Sequence, residues 1–227
     1  MIKKGCLDIV QAKCENCTDC ILAKTRKNVV FSDGNPETAR IVLIGEAPGE
    51  TEDETGKITK TISKDNETGK PFVGRAGKLL NQFLEEAGIS RENDLYIINT
   101  VKCRPPENRV PTDVEKALCE RYLTAQIDIM NPQAIIFCGA TSLRSFWEDK
   151  KVQISKVRGN WFTVTVNGKE YRAMAIFHPS YLLRNHSMEE GSPRRLMQHD
   201  LSVIKSEILG DRQVCSSNPF NKELALV

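Results

Sequence analysis

Four cysteines are spaced to hold a metal centre. A close pair, Cys17-x2-Cys20, lies in CENCTDC, and a distant pair, Cys103 and Cys119, bounds CRPPENRVPTDVEKALC. Two thiolates from a tight turn and two from elsewhere build a tetrahedral sulfur site, for zinc or for an iron–sulfur cluster. Such a set belongs to a reducing compartment, not to a secreted disulfide scaffold. Cys14 precedes Cys17 at the same spacing. A ferredoxin-type run would need a further cysteine after three intervening residues, and that position, 24, is Lys. Cys6, Cys138 and Cys215 read as scattered thiols.

A second group of residues could do acid–base and binding chemistry. Glu46, Glu50, Glu52 and Asp53 crowd one loop, GEAPGETED, whose Gly45, Pro48 and Gly49 fix its shape and let a ligand approach the backbone. A carboxylate there can orient water or stabilise a developing cation. The loop lacks the Lys-Ser/Thr ending of a phosphate-binding P-loop and is itself acidic. His178 is one of three histidines and is followed by Pro179. The Asn99 amide offers a paired donor and acceptor. Phe72 stands between glycines in GKPFVGRAG and could stack on a flat ligand. Arg75, Lys78, Lys102, Arg104, Arg109, Arg184, Arg194 and Arg195 are among the cations flanking these segments, the residue type that phosphate contacts require.

The elements that must position these residues follow from periodicity. ARIVLI (39–44), LYIINTV (95–101) and AIIFC (134–138) are continuous apolar runs that read as buried parallel strands. RAGKLLNQFLEEA (75–87) has helical spacing and stops at Gly88. Thr112-x-x-Glu115 is a capping box that opens a helix to about Met130, with Val114, Leu118, Tyr122, Ala125 and Ile129 as its expected buried stripe. A short helix follows over 141–147. Asn167-Gly168 predicts a type I′ hairpin between 161–166 and 171–177. A last helix spans about 193–209. The βαβα order predicts a parallel sheet with helices on both faces. Ligands in such folds sit beyond the carboxyl ends of the strands. The acidic loop, Asn99 and His178 all fall at those ends, which predicts one site.

The 227 residues suffice for one domain over 1–209, with a polar tail over 210–227. The net charge of +2 excludes a protein that is basic throughout, so a nucleic-acid partner would need a local basic face. No run approaches the roughly 20 apolar residues of a membrane span, and the start lacks the apolar core of a signal peptide. ETGK occurs twice, thirteen residues apart, and the polar segment over about 54–70 reads as an outward-looping insertion.

GEAPGETED, GKPFVGRAGKLLNQFLEEAGI, INTVKCRPPENRVP and FHPSYLLRN, in that order and together with the cysteines, resemble the family 4 iron–sulfur uracil-DNA glycosylases from about Cys17 to Leu209. The resemblance implies a three-layer α/β/α fold with a mainly parallel, four-stranded central sheet. It implies a [4Fe-4S] cluster on Cys17, Cys20, Cys103 and Cys119, leaving Cys14 as a spare thiol or an alternative ligand. It implies hydrolysis of the bond between deoxyribose C1′ and uracil N1 after the base has been flipped out of DNA. Glu46, Ala47 and Pro48 would line the uracil pocket, with Glu46 obstructing thymine. Phe72 would stack on the ring and Asn99 would read its edge. His178 would donate to uracil O2. Glu46 or Glu52 would orient water or stabilise the sugar cation. Leu182 and Leu183 would wedge into the duplex, with Arg104 and Arg184 on phosphates. The implied partner is uracil-containing DNA, single- or double-stranded, met by a monomer with no membrane contact in a prokaryotic cytoplasm, near the nucleoid. A sliding clamp or other repair enzymes are candidate partners. Three other readings stand beside this one: a non-catalytic DNA-binding protein with a zinc or cluster site, an electron-transfer protein, and a glycosylase for another deaminated base such as hypoxanthine.

Overall fold

The computed structural model of the protein describes residues 2–54 and 69–210. The insertion expected around 54–70 and the tail expected after 210 fall almost wholly outside the described residues.

The chain opens with helix α1 (Ile2–Glu15) and a short α2 (Leu22–Thr25). Strand β1 (Ile41–Gly45) runs into the acidic loop and α3 (Glu50–Glu54). Then come α4 (Arg75–Glu86), β2 (Leu95–Asn99), α5 (Asp113–Met130), β3 (Ala134–Cys138), α6 (Ala140–Phe146) and α7 (Ile154–Val157). The hairpin is β4 (Trp161–Val166) and β5 (Lys169–Ile176), joined by Asn167 and Gly168 at φ +48° and +78°, the left-handed values a type I′ turn needs. Helices α8 (Pro179–Leu182) and α9 (Pro193–Ile204) follow, and a further helical turn, Lys205–Leu209, ends the described chain.

The strands form one sheet in the order β2-β1-β3-β5-β4. The first four are mutually parallel and β4 pairs antiparallel with β5 at the edge. The sheet thus has five strands where four were expected, because both hairpin arms join it. Its burial pattern separates the two kinds of strand. Every residue of β1, β2 and β3 is buried, as both covered faces require, whereas β4 alternates buried and exposed. Side chains alternate between faces with a period of two. Val42, Ile44, Tyr96 and Ile98 pack with Leu7 of α1 and Leu123 and Ile127 of α5. Ile41, Leu43 and Ile97 pack with Leu80 and Leu84 of α4 and Met197 and Leu201 of α9. These are the three layers.

Helix α5 is rotated from the expected phase. Val114 and Leu118 are exposed, and the buried stripe is Glu115, Tyr122, Leu123, Gln126, Ile127 and Met130. Glu115 can take an inward position because its carboxylate is fully occupied. It accepts two bonds from Arg109 (2.8 and 2.6 Å) and one from Thr112 N–H (2.8 Å), completing the capping box. The Arg109 guanidinium holds the Glu115 carboxyl down at about 2. Among the described residues, no helix is long and apolar enough to cross a membrane.

Candidate active site

Strands β1 and β2 end level, with Gly45 opposite Asn99 in the register. Strand β5 ends two residues before His178. A cavity of about 480 Å³ opens at these ends, lined among others by Glu46, Ala47, Pro48, Phe72, Asn99 and His178. The residues singled out from the sequence for one pocket are therefore brought together.

The floor is tightly built. A Cβ on Gly45 would lie 2.4 Å from Asn99 Oδ1 and 2.6 Å from Phe72 Cε2, so only glycine lets the amide and the ring close over the strand end. Asn99 is 2% exposed, and its Oδ1 is buried with no hydrogen-bond partner. A buried carbonyl oxygen left unpaired costs roughly 1–3 kcal/mol, and such an atom facing a cavity asks for a donor from a ligand. The Phe72 ring is buried, and its centroid lies 5.6 Å from that of His178.

His178 caps α8, with Nδ1 accepting the Ser180 N–H (3.1 Å) and lying 2.7 Å from Ser180 Oγ. A nitrogen that accepts a main-chain N–H carries no proton, so the neutral ring holds its proton on Nε2. Burial lowers the His178 pKa to about 4, against an upward pull from the Glu52 carboxylate. The imidazole is thus a neutral donor at physiological pH.

The acids of the first loop differ sharply. Glu46 is half-buried at the cavity wall, and no side-chain partner binds its carboxylate among the described residues. Its main-chain oxygen accepts the Thr100 hydroxyl (2.5 Å). Glu52 is buried, and its Oε2 accepts Gly49 N–H (3.1 Å) while Oε1 accepts Val73 and Gly74 N–H (2.9 and 2.8 Å). It ties the acidic loop to the Phe72 loop. Asp53 is also buried and accepts the N–H groups of Lys27 and Asn28 (2.8 and 3.0 Å), anchoring the N-terminal segment. Neither tie is visible in the sequence, because both depend on backbone donors brought from distant segments.

At the rim, Arg104 reaches Asn108 Oδ1 (2.8 Å) and Glu50 (3.3 Å), and Arg184 is exposed. The segment expected to present an apolar tip does so differently. Leu182 is fully buried in the core beside α4 and α9, Leu183 is partly buried, and Tyr181 is the exposed side chain. The four-residue helix turns Leu182 inward, which corrects its assignment to the duplex.

The thiols lie behind the site. Cys103 is buried, and Cys17, Cys20 and Cys119 are partly buried. Cys119 packs both with the group holding Cys103 and Cys20 and with the one holding Cys14 and Cys17. Arg26 Nη1 lies 3.3 Å from Cys103 Sγ and Arg121 Nη2 3.5 Å from Cys17 Sγ. Burial pushes the Cys103 thiol up to about 11 and the Cys14 thiol up to about 12, and it also raises Cys119. Among the described residues, no three His, Cys, Asp or Glu side chains close on a common point as a single ion would need. A tetrahedral zinc would draw its sulfurs to roughly 3.8 Å from one another. The donor chemistry nevertheless fits a thiolate-bound group. Lys102 is wholly buried without a carboxylate partner, and burial pulls its pKa down to about 8 while Cys119, Cys14 and Cys103 oppose that pull. Buried charges are normally paired, and thiolates are the anions to hand.

Fold and site together define an α/β protein with one pocket gathering these side chains at its strand ends. The family model of the uracil DNA glycosylase superfamily matches residues 31–202. The type-4 uracil-DNA glycosylase of Thermotoga maritima is 48% identical over 205 residues, covering 89% of this chain and 94% of that protein. Those of Saccharolobus solfataricus and Archaeoglobus fulgidus are each 38% identical, covering 93% and 81% of this chain and 90% and 86% of theirs. The chain belongs to the type-4 uracil-DNA glycosylases of that superfamily.

Proposed function

We propose that this protein excises uracil from DNA, as its relatives' names state for them, by hydrolysing the bond between C1′ and N1. The observation that carries the reading is the buried, unpartnered Asn99 Oδ1 beside a histidine whose free nitrogen bears the proton. Asn99 Oδ1 accepts uracil N3–H and its Nδ2 donates to O4, a pairing that cytosine, lacking N3–H, cannot complete. Phe72 stacks on the ring, and Ala47 and Pro48 complete the wall. As the C1′–N1 bond breaks, its electron pair leaves on the base, and Nε2–H of His178 donates to the O2 that gains charge. A neutral donor placed there is worth roughly 3–4 kcal/mol.

Water adds to the sugar cation at C1′ and gives its proton to a base. Glu46 is the carboxylate assigned to orienting that water, because no described side chain or backbone donor takes up its oxygens. Glu52, with both oxygens on backbone N–H groups, acts through its charge and through the loops it joins. Arg104 and Arg184 are assigned to phosphates, with Tyr181 and Leu183 at the duplex. DNA repair places it with the chromosome, where a sliding clamp and downstream repair enzymes are its expected neighbours. Cys17, Cys20, Cys103 and Cys119 would hold a [4Fe-4S] cluster, which supplies a cross-link between the N-terminal segment and the 102–111 loop.

Incubation with oligonucleotides containing U·G, U·A or single-stranded uracil is expected to release free uracil and leave an alkali-labile site. His178→Ala is expected to slow the step about 10²–10³-fold. Absence of release from all three substrates by metal-replete protein refutes the reading.

A further inference from the structure

We propose that Arg91, which lines no part of the cavity, is the positioning residue that holds Phe72 as a platform for the base. Phe72 has φ +56°, a left-handed backbone that an aromatic residue rarely adopts and that its surroundings must impose. One constraint is Gly77 in the first turn of α4, where a Cβ would fall 1.8 Å from Phe72 O and 2.0 Å from its carbonyl carbon. The helix thus backs directly onto this peptide and blocks it on that side.

The other constraint is the Arg91 guanidinium. Its Nη2 donates to Pro71 O (2.6 Å), and its Nη1 donates to Phe72 O (3.2 Å) and to Asn81 Oδ1 (2.8 Å). Its Nε donates to Asp33 Oδ2 (2.9 Å). Asp33 is in turn fixed to β2 by reciprocal main-chain bonds with Ile97 (3.0 and 2.8 Å). The chain of contacts therefore runs from the central sheet through Asp33 and Arg91 to two consecutive carbonyls, and from there to the ring over Gly45. Only the planar, five-donor fork of arginine can serve a carboxylate, an amide and two carbonyls at once. Lysine in its place keeps the charge beside Asp33 and loses the span.

This role rests on the stacking assigned to Phe72, and a double-mutant cycle separates the two. Arg91→Ala is expected to lower kcat/KM for uracil excision about 10–50-fold and to weaken inhibition by free uracil by a similar factor. Binding of DNA that carries an abasic-site analogue is expected to stay within about two-fold, because the phosphate contacts are untouched. In a Phe72→Ala background, the further loss on replacing Arg91 is expected to shrink below about three-fold. Arg91→Lys, which preserves the Asp33 pair, is expected to reproduce the pattern should the alanine variant fold poorly. Independent, multiplicative losses in the double variant would overturn the proposal, as would unchanged uracil inhibition in Arg91→Lys. Wild-type excision and uracil inhibition by Phe72→Ala alone would instead remove the stacking role, and with it the proposal.

Discussion

Replacing Glu52 by glutamine distinguishes a strut from a catalytic base. The carboxylate binds three backbone N–H groups, two through Oε1 and one through Oε2, in a buried setting. Hydrogen bonds to a charged acceptor contribute roughly 1.5–3 kcal/mol each, and neutral ones roughly 0.5–1.5. Glutamine of the same shape can leave its oxygen facing Val73 and Gly74, at a loss of about 1 kcal/mol for each bond. Its NH2 then opposes the Gly49 N–H, donor against donor, which costs about 1–3 kcal/mol more. The sum, about 3–5 kcal/mol, lies within the stability of a domain this size and shifts Tm downward by roughly 6–20 °C. The expected outcome is a folded, markedly less stable enzyme whose loss of kcat/KM is accompanied by weaker inhibition by free uracil, because the two loops that meet over the base have come apart. Calorimetry and excision kinetics at 25 °C read both. A variant that melts like the wild type yet loses a thousand-fold in kcat would refute the strut account and place the carboxylate in the chemistry.

Two further outcomes follow from the same geometry. Because burial lowers the His178 pKa from 6.5 to about 4, the folded state binds fewer protons than the unfolded state between those values. Stability therefore falls as pH drops from about 6.5 to about 4, by roughly 2–4 kcal/mol. Urea unfolding of the wild type against His178→Gln isolates this contribution, and excision should show no inflection near pH 6.5. Gly45→Ala places a methyl group 2.4 Å from Asn99 Oδ1 and 2.6 Å from the Phe72 ring. Its expected result is a destabilisation of about 1–3 kcal/mol and a loss of excision much larger than that of an exposed alanine substitution, measured by melting and single-turnover kinetics.

The parts of the fold that were legible in the sequence are those where one rule acts alone. The three central strands are apolar throughout because both their faces are covered, and Asn-Gly marks a turn that few other pairs can make. Legibility fails where a tertiary partner reverses a residue's usual preference. Glu115 is buried in α5 because Arg109 and Thr112 occupy it, and that rotates Val114 and Leu118 outward. Leu182 has the apolar character of a wedge, but α8 turns it into the core. At the site, the strand-end rule locates Glu46, Asn99 and His178 without any structure, since each lies at a strand's last residue or just beyond it. Glu52 and Arg91 escape it, because each depends on backbone groups of the Phe72 loop, 21 and 20 residues away, and backbone groups carry no signature in a sequence.

The distance between the thiols and the pocket is bridged by one side chain. Lys102 lies between Asn99 and Cys103 in sequence, and its Nζ donates to Asn99 O at 2.8 Å inside the protein. Its own carbonyl accepts Val30 N–H at 2.8 Å, which joins it to the N-terminal segment. An ammonium can stay in such a place only with an anion near it, and no carboxylate of the described residues approaches it. The thiols of Cys119, Cys14 and Cys103 are the groups that favour its charge. Held as thiolates, Cys119 and Cys103 would stabilise the cation, and the cation holds the backbone of the residue assigned to reading the base. On that account the cysteines serve a hydrolase without touching its substrate: they keep a buried positive charge where it holds the Asn99 carbonyl at the strand end.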